Sequence, residues 1–311
     1  MLKRFAWLRH PVPLAVASLV LLSSLSADAG RLAIVVDDIG YSRDAGERVL
    51  ALPKAISIAV LPFTPHAMAL ARRAQAIGKD VLLHQPLESE DESVQAVRTL
   101  TLNMSPDDIK KEVEAALNAI PGVKGVSNHT GSRFTQDVPS MNALMSVVSA
   151  RGLFFLDSRT TARTIAMRVA SKWGVPALRR DVFLDHDREM EAIEAAFEQA
   201  LRIANGRGYA VLIAHPHDIT LKFLEKRLAN LEATTLVPLS SLASNQSKNL
   251  TTKVVSFNQP TQLLVYSQSL PIYRTLRQSD PFVDGVPSTR GSIVNAILSA
   301  RPNALNIVSA W

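Results

Sequence analysis

Two rhythms alternate along this chain. Short runs such as Leu32-Ala33-Ile34-Val35-Val36, Ile56-Ser57-Ile58-Ala59-Val60-Leu61 and Tyr209-Ala210-Val211-Leu212-Ile213-Ala214 are apolar at nearly every position. Between them lie longer stretches whose apolar residues recur every three or four positions. The first rhythm fits a strand buried on both faces, the second a helix with one apolar stripe. Strands are therefore expected at 32–37, 56–61, 80–84, 123–128, 153–157, 182–185 and 209–214, with a last short one at 234–237. Helices are expected at 65–78, 106–120, 138–151, 161–173, 188–206 and 218–231. The helix at 106–120 has the clearest start, with Ser105 as a capping residue, Pro106 at the first helical position, and Asp107 and Asp108 in the first turn. Ile109, Val113, Ala116, Leu117 and Ile120 then share one face.

Strands that alternate with helices across residues 31–242 predict an α/β fold: a parallel β/α barrel of seven strands, or an incomplete TIM-like barrel. A dinucleotide-binding arrangement is the weaker alternative, because no G-x-G-x-x-G turn follows the first strand. No phosphate-binding G-x-x-x-x-G-K-[ST] occurs, and no G-x-S-x-G nucleophile turn.

The two ends differ from this body. Residues 1–29 read as a secretory signal peptide: Lys3, Arg4 and Arg9, an apolar stretch from Pro13 to Leu25, and an Ala27-Asp28-Ala29 cleavage site. That stretch is shorter than the roughly 20 residues of a membrane-spanning helix. A secreted, periplasmic protein is expected, with no stable membrane span after cleavage. From residue 245 onward Ser, Asn, Gln and Thr dominate and prolines are scattered, so 245–311 is expected to be a poorly ordered tail. The folded domain is then 30–244.

The chain contains no cysteine, which rules out a lipid-anchored cysteine, disulfides and thiolate chemistry. The net charge of +6 resides in the ends. Lys3, Arg4 and Arg9 outweigh Asp28, and beyond residue 244 only Asp280 and Asp284 oppose the lysines and arginines. The body is electrically balanced, so nucleic acid is not an expected partner.

The chemistry gathers where the apolar runs stop. Asp37 and Asp38 end the first, His84 the third, and Asn128-His129 follow the fourth. Asp157 and Asp185 end the fifth and sixth, and His215 and His217 follow the seventh. In a parallel barrel all these positions lie on one face. Two adjacent carboxylates repel each other and are held by a nearby cation. A catalytic zinc site takes about three protein ligands and keeps one position open. Asp38, His84 and His129 supply that set, with Zn the expected divalent metal. Asp37 is the candidate base and His215 the candidate acid, while Asn128 and Asp185 could orient the ligands. Asp157 and Arg159 read equally well as an internal ion pair or as substrate contacts. Asp187 reads as a helix cap, and His217 as a cap or a solvent-facing residue.

Five segments together resemble the divergent polysaccharide deacetylase family, a secreted relative of the NodB-type carbohydrate esterases. They are Val36-Asp37-Asp38-Ile39-Gly40, Leu83-His84-Gln85-Pro86-Leu87-Glu88, Asn128 to Thr135, Phe155 to Thr160, and Ile213-Ala214-His215-Pro216-His217. The resemblance implies a seven-stranded NodB-like barrel and zinc-dependent removal of N- or O-acetyl groups from a glycan. By position it makes Asp37 the catalytic base, Asp38 and His129 metal ligands, and His215 the general acid. The second histidine of the family's H-[ST]-x-x-H motif is Arg133 here, which cannot ligate a metal because it keeps its proton. His84 is the expected substitute. Arg133 is then free to hold a substrate carboxylate or sulfate, or to reach Asp185. The expected activity is a hydrolase of carbon–nitrogen bonds other than peptide bonds, acting on an acetylated periplasmic polysaccharide or peptidoglycan. Two other readings stay open: a non-catalytic glycan-binding or cell-envelope scaffold protein, and a hydrolase of a different bond.

Overall fold

The computed structural model of the chain describes residues 30–94, 96–231 and 235–244. The expected signal segment and tail lie outside the described residues. Among the described residues eight strands form one all-parallel sheet; six α-helices connect them and a seventh follows the last strand. The first strand, β1 (Arg31–Ile39), is followed by α1 (Arg43–Ala51), β2 (Ser57–Val60), α2 (Ala67–Ala76), β3 (Val81–Leu87), α3 (Pro106–Ala119), β4 (Val123–Thr130) and α4 (Val138–Ala150). Then come β5 (Phe154–Asp157), α5 (Ala166–Lys172), β6 (Ala177–Arg179), β7 (Val182–Phe183), α6 (Met190–Arg207), β8 (Tyr209–Ala214) and α7 (Asp218–Leu228). The sheet order is β6-β5-β4-β3-β2-β1-β8-β7, so it curls into a half-barrel around the long central β1.

The strand expected at 182–185 is the two-residue β7, and it is preceded by an edge strand, β6, that was not expected. Ala177–Arg179 pairs with β5 at one edge, while Val182–Phe183 pairs with β8 at the other. Arg180 and Asp181 alone connect the two, and the barrel is split there. Helix α1 was not expected from the sequence, although Ser42 caps it by accepting a hydrogen bond from the Ala45 N–H at 3.2 Å. The predicted start of α3 holds, with Ser105 Oγ accepting from Asp108 N at 3.2 Å and Ile109, Val113, Ala116 and Leu117 buried along its face. Helix α5 begins later than expected, because the Ile165 N–H is engaged by Thr135 O (2.9 Å) and Thr164 Oγ1 by Asp157 (3.1 Å). The strand expected at 234–237 is a single parallel bridge, Leu32 to Leu236.

Each strand has two buried faces, as its apolar run requires. On β1, Leu32, Ile34 and Val36 face the helices, whereas Ala33 and Val35 join Ala59, Leu82, Leu156, Leu178, Val211 and Ile213 in a second core inside the half-barrel. Leu239, Leu242 and Ala243 belong to that inner core. They are held there by Leu239 N donating to Ser57 Oγ (3.3 Å) and Ser240 N donating to Asp80 Oδ2 (2.8 Å). Side chains alternate along a strand, so the inward series Ala33-Val35-Asp37, Leu82-His84 and Val211-Ile213-His215 each change from apolar to polar toward the carboxyl end. Apolar packing fills the amino-terminal part of the interior, and the polar groups are left together above it.

Candidate metal centre and active site

Adjacent residues of a regular strand point to opposite faces, so Asp37 and Asp38 could not both reach one site from an undistorted β1. A register shift resolves this: Val36 pairs with Ile58 but Ile39 with Val60, so β1 spends one extra residue at the Asp37-Asp38 pair. Asp38 takes the left-handed conformation, φ 58°, which aspartate tolerates better than most residues. Gly40 follows at φ 134°, where a Cβ would meet Thr64 Oγ1 at 2.0 Å. Strands β4 and β5 end similarly, at Thr130 (φ 53°) and at Arg159 (φ 50°) just past β5. Three strands thus end in sharp turns at the carboxyl edge of the sheet.

Asp38 Oδ1 lies 3.2 Å from His84 Nε2 and 2.8 Å from His129 Nδ1, and the three ligand atoms all fall within 4.8 Å of one another. His84 is fully buried against Ser127, whose Oγ is 2.7 Å from Nδ1, so the ring is fixed with Nε2 toward Asp38. Asp37 is buried too, with Oδ2 at 3.6 Å from His84 Nε2. Burial pushes the Asp37 carboxyl up, opposed by the charges of His84 and His215. For Asp38, burial is outweighed by contact with His129 and His84, which hold it well below the usual carboxylate range. Burial lowers His84, but Asp37 and Asp38 raise it more.

These residues fit a divalent cation. Asp37 Oδ1 is buried with no hydrogen-bond partner among the described residues, which costs about 1–3 kcal/mol unless something else satisfies it. Asp38 Oδ1 is buried with only poorly directed contacts to the two imidazoles. Ligand atoms on a tetrahedral ion with bonds of about 2.0–2.1 Å stand about 3.4 Å apart. The spacings of Asp38 from the two imidazoles, 3.2 and 2.8 Å, lie a little below that figure. Two imidazoles and a carboxylate are also a donor set suited to zinc.

His215 sits across the centre in a different arrangement. Its Nδ1 is 2.8 Å from Asp185 Oδ1, its backbone N–H donates to Asp185 Oδ2 at 2.7 Å, and Thr220 Oγ1 donates to the same oxygen at 2.9 Å. Burial alone would lower the imidazole, but Asp185, Asp37 and Asp38 raise it to about 9. Asp185, His215 and His217 also have ligand atoms within 4.8 Å. With three hydrogen bonds already on its oxygens, Asp185 reads as the orienter of His215 rather than as a ligand. A cleft of about 290 Å³ opens here, lined by Asp38, Phe183, His186, His215 and His217 among others.

The remaining expected residues are placed elsewhere. Asn128 spends its amide on the backbone, accepting from Ser158 N (2.8 Å) and donating to Thr130 O (2.7 Å), which clamps β4 to β5. Arg133 pairs with Glu88 at 3.0 Å and not with Asp185. Asp157 forms no ion pair with the Arg159 side chain; it accepts from the Arg159 backbone N–H (2.9 Å) and from Thr164 Oγ1 (3.1 Å). Asp187 is not the cap of α6, a position held by Glu189, and His217 occupies the cap position of α7 without a side-chain hydrogen bond. Sequence reasoning missed Ser127, Thr220 and Arg180. Ser127 was legible in principle, because it lies two residues before His129 and so shares its face. Thr220 carried no signal, since only the docking of α7 brings it to Asp185.

Residues 34–243 match the family described as divergent polysaccharide deacetylase. The chain is 39% identical over 240 residues to the uncharacterized protein YibQ of Escherichia coli, covering 77% of this chain and 75% of that one. It is 36% identical over 236 residues to an uncharacterized protein of Haemophilus influenzae, covering 74% and 83%. In structure it is similar to the uncharacterized protein ATU2773 of Agrobacterium tumefaciens, with a TM-score of 0.65 at 24% identity over 70% of this chain and 90% of that one, a likeness of fold.

Proposed function

The chain belongs to the divergent polysaccharide deacetylase family, and from that premise we propose that it is a zinc-dependent hydrolase. It removes acetyl groups from a periplasmic polysaccharide or from the glycan of peptidoglycan. The observation that carries this reading is the buried Asp38 Oδ1, without a directed hydrogen bond, between His84 Nε2 and His129 Nδ1. Asp38, His84 and His129 would hold the ion. When bound it supplies Lewis acidity, polarising an acetyl carbonyl and making water more acidic.

The chain's own residues handle the protons. Asp37, buried beside the ligands, takes the proton of the attacking water. A carboxylate whose pKa is raised by burial is a stronger base than a solvated one. His215 donates a proton to the departing amine or hydroxyl oxygen of the sugar, and acetate leaves. Asp185 accepts the Nδ1 proton of His215, so Nε2 is the nitrogen left to face the cleft, and the Phe183 ring packs at 5.7 Å to hold the imidazole plane. His84 takes the ligand place that Arg133 cannot fill. Among the described residues no helix is long and apolar enough to cross a membrane. The periplasmic setting rests on the signal-like segment at 1–29.

The test is metal analysis of the purified chain, followed by acetate release from acetylated chitooligosaccharides and from peptidoglycan. Asp38→Ala is expected to lose both the metal and the acetate release. Undiminished release by that variant would refute the reading. Glycan binding with no acetate release by the metal-loaded wild type would favour a scaffold instead.

A further inference from the structure

A second cleft, of about 480 Å³, adjoins the first and shares Phe183 and His186 with it. It opens at the split in the barrel, where Arg180 and Asp181 join the two edge strands. Arg180 is half-buried and rigidly set. Its Nε donates to Ser158 O (2.7 Å), its Nη2 donates to Arg159 O (2.9 Å), and its guanidinium carbon lies 3.6 Å from the centre of the Phe183 ring. Arg159 is set in its left-handed conformation by the Asp157 carboxylate, which accepts its backbone N–H.

Neither guanidinium has a carboxylate within ion-pair distance among the described residues. The acid that lines the cleft, Asp181, is already engaged: Arg207 Nη1 donates to it at 2.9 Å, Arg207 Nη2 at 2.5 Å, and Val211 N at 2.9 Å. Burial lowers the Arg180 pKa and the neighbouring Arg159 charge lowers it further, against the more distant Asp157, Asp181 and Asp37 carboxylates, which raise it. Closing the barrel seam accounts for Arg180, whose N–H groups satisfy two carbonyls. It does not account for Arg159, whose guanidinium makes no hydrogen bond among the described residues. Two guanidiniums brought together with no carboxylate in direct contact leave room for an anionic ligand, and a planar guanidinium is suited to an oxyanion.

We propose that Arg159 and Arg180 form a subsite for an oxyanion, so that the glycan carries a carboxylate or a phosphate on the sugar unit next to the reacting one. This deepens the reading above and depends on it only for the position of the reacting sugar. The Arg180 Nη1 edge and the Arg159 guanidinium meet the anion. Phe183, beneath Arg180 and beside His215, is the floor shared by the two clefts.

Calorimetric binding of the full chain to three probes tests this: an oligogalacturonate for the carboxylate, glucose 6-phosphate for the phosphate, and a chitooligosaccharide as the neutral reference. One anionic probe is expected to bind tighter than the neutral one, and which of them does so identifies the anion. Arg159→Gln, a change at a side chain with no structural bond among the described residues, is expected to weaken that binding by roughly tenfold while leaving the neutral probe unchanged. Equal binding of all three probes, or anion binding unaltered in Arg159→Gln, overturns the proposal. The binding readout needs no turnover. Asp38→Ala should therefore keep the anionic preference, and a wild type that prefers the anion but releases no acetate would refute the hydrolase reading while leaving the subsite standing.

Discussion

Replacing Asp185 by asparagine isolates the electrostatics of the His215 pair. In the folded chain His215 is raised from its ordinary 6.5 to about 9, against the effect of burial, by Asp185 and the charges of Asp37 and Asp38. At about 1.4 kcal/mol per pH unit this displacement corresponds to about 3 kcal/mol of folding stability. The sign follows from the folded value lying above the unfolded one. The contribution is complete below about pH 6.5, falls as the pH rises toward 9, and is absent above it. Asparagine removes the charge and presents an N–H where His215 N–H, His215 Nδ1–H and Thr220 Oγ1–H all need an acceptor.

The assay is urea unfolding of both proteins at several pH values from 6 to 10, in chelator so that no bound ion contributes. Lys79 titrates in part of the same window in the opposite sense. Burial lowers it to about 8, so its contribution rises with pH from there toward the unfolded value of 10.5. It is common to both proteins, and the difference between the two curves removes it. The pH-dependent part of the difference is expected to be below about 3 kcal/mol, because Asp37 and Asp38 keep their share. It should vanish toward pH 10, leaving the pH-independent cost of the hydrogen bonds that asparagine cannot accept. Parallel curves across this range would refute the assignment of the Asp185–His215 pair.

Other outcomes follow from the same contacts. Ser127→Ala removes the group that fixes the His84 ring and should weaken zinc affinity by about 10–100-fold in competition with a chromophoric chelator; unchanged affinity would show that the ring needs no such support. Asn128→Ala leaves the Ser158 N–H and Thr130 carbonyl without their partner and should cost about 1–3 kcal/mol in urea unfolding. Its zinc affinity should stay near that of wild type, and loss of affinity without loss of stability would return Asn128 to the metal site. Leu82→Ala, in the inner core below His84, should cost about 2–5 kcal/mol by the same measurement, and a cost under about 1 kcal/mol would mean the interior is not closely packed there.

The runs of apolar residues carry the class of this fold openly, because strands buried on both faces have no other way to be soluble as a sheet. The polar residues that end those runs likewise identify the face where chemistry collects, since a parallel sheet puts every strand's carboxyl end on one side. The capping residues around Ser105 mark α3 just as plainly. Helix α1 was hidden because its apolar stripe is short, with Val49 and Leu50 its only large buried residues. Strand β6, a three-residue edge element, was hidden because so short a segment has no periodicity to read.

What the linear order could not express is orientation. Asp37 and Asp38 are neighbours in sequence and would face opposite ways in any regular strand. A single extra residue in β1, with the left-handed turn at Asp38, sends both carboxylates to the same centre. Asn128 and Asp157 end their runs as the candidate ligands do, and Arg133 follows close behind, yet the docking of β5, of Glu88 and of the turn at Thr164 engages them in the framework. Residue type and strand position thus decided which side chains were available. Register, bulge and packing decided which of them meet, because a hydrogen bond or a metal contact depends on atoms within a few ångströms, a distance set by the folded sheet and not by spacing along the chain.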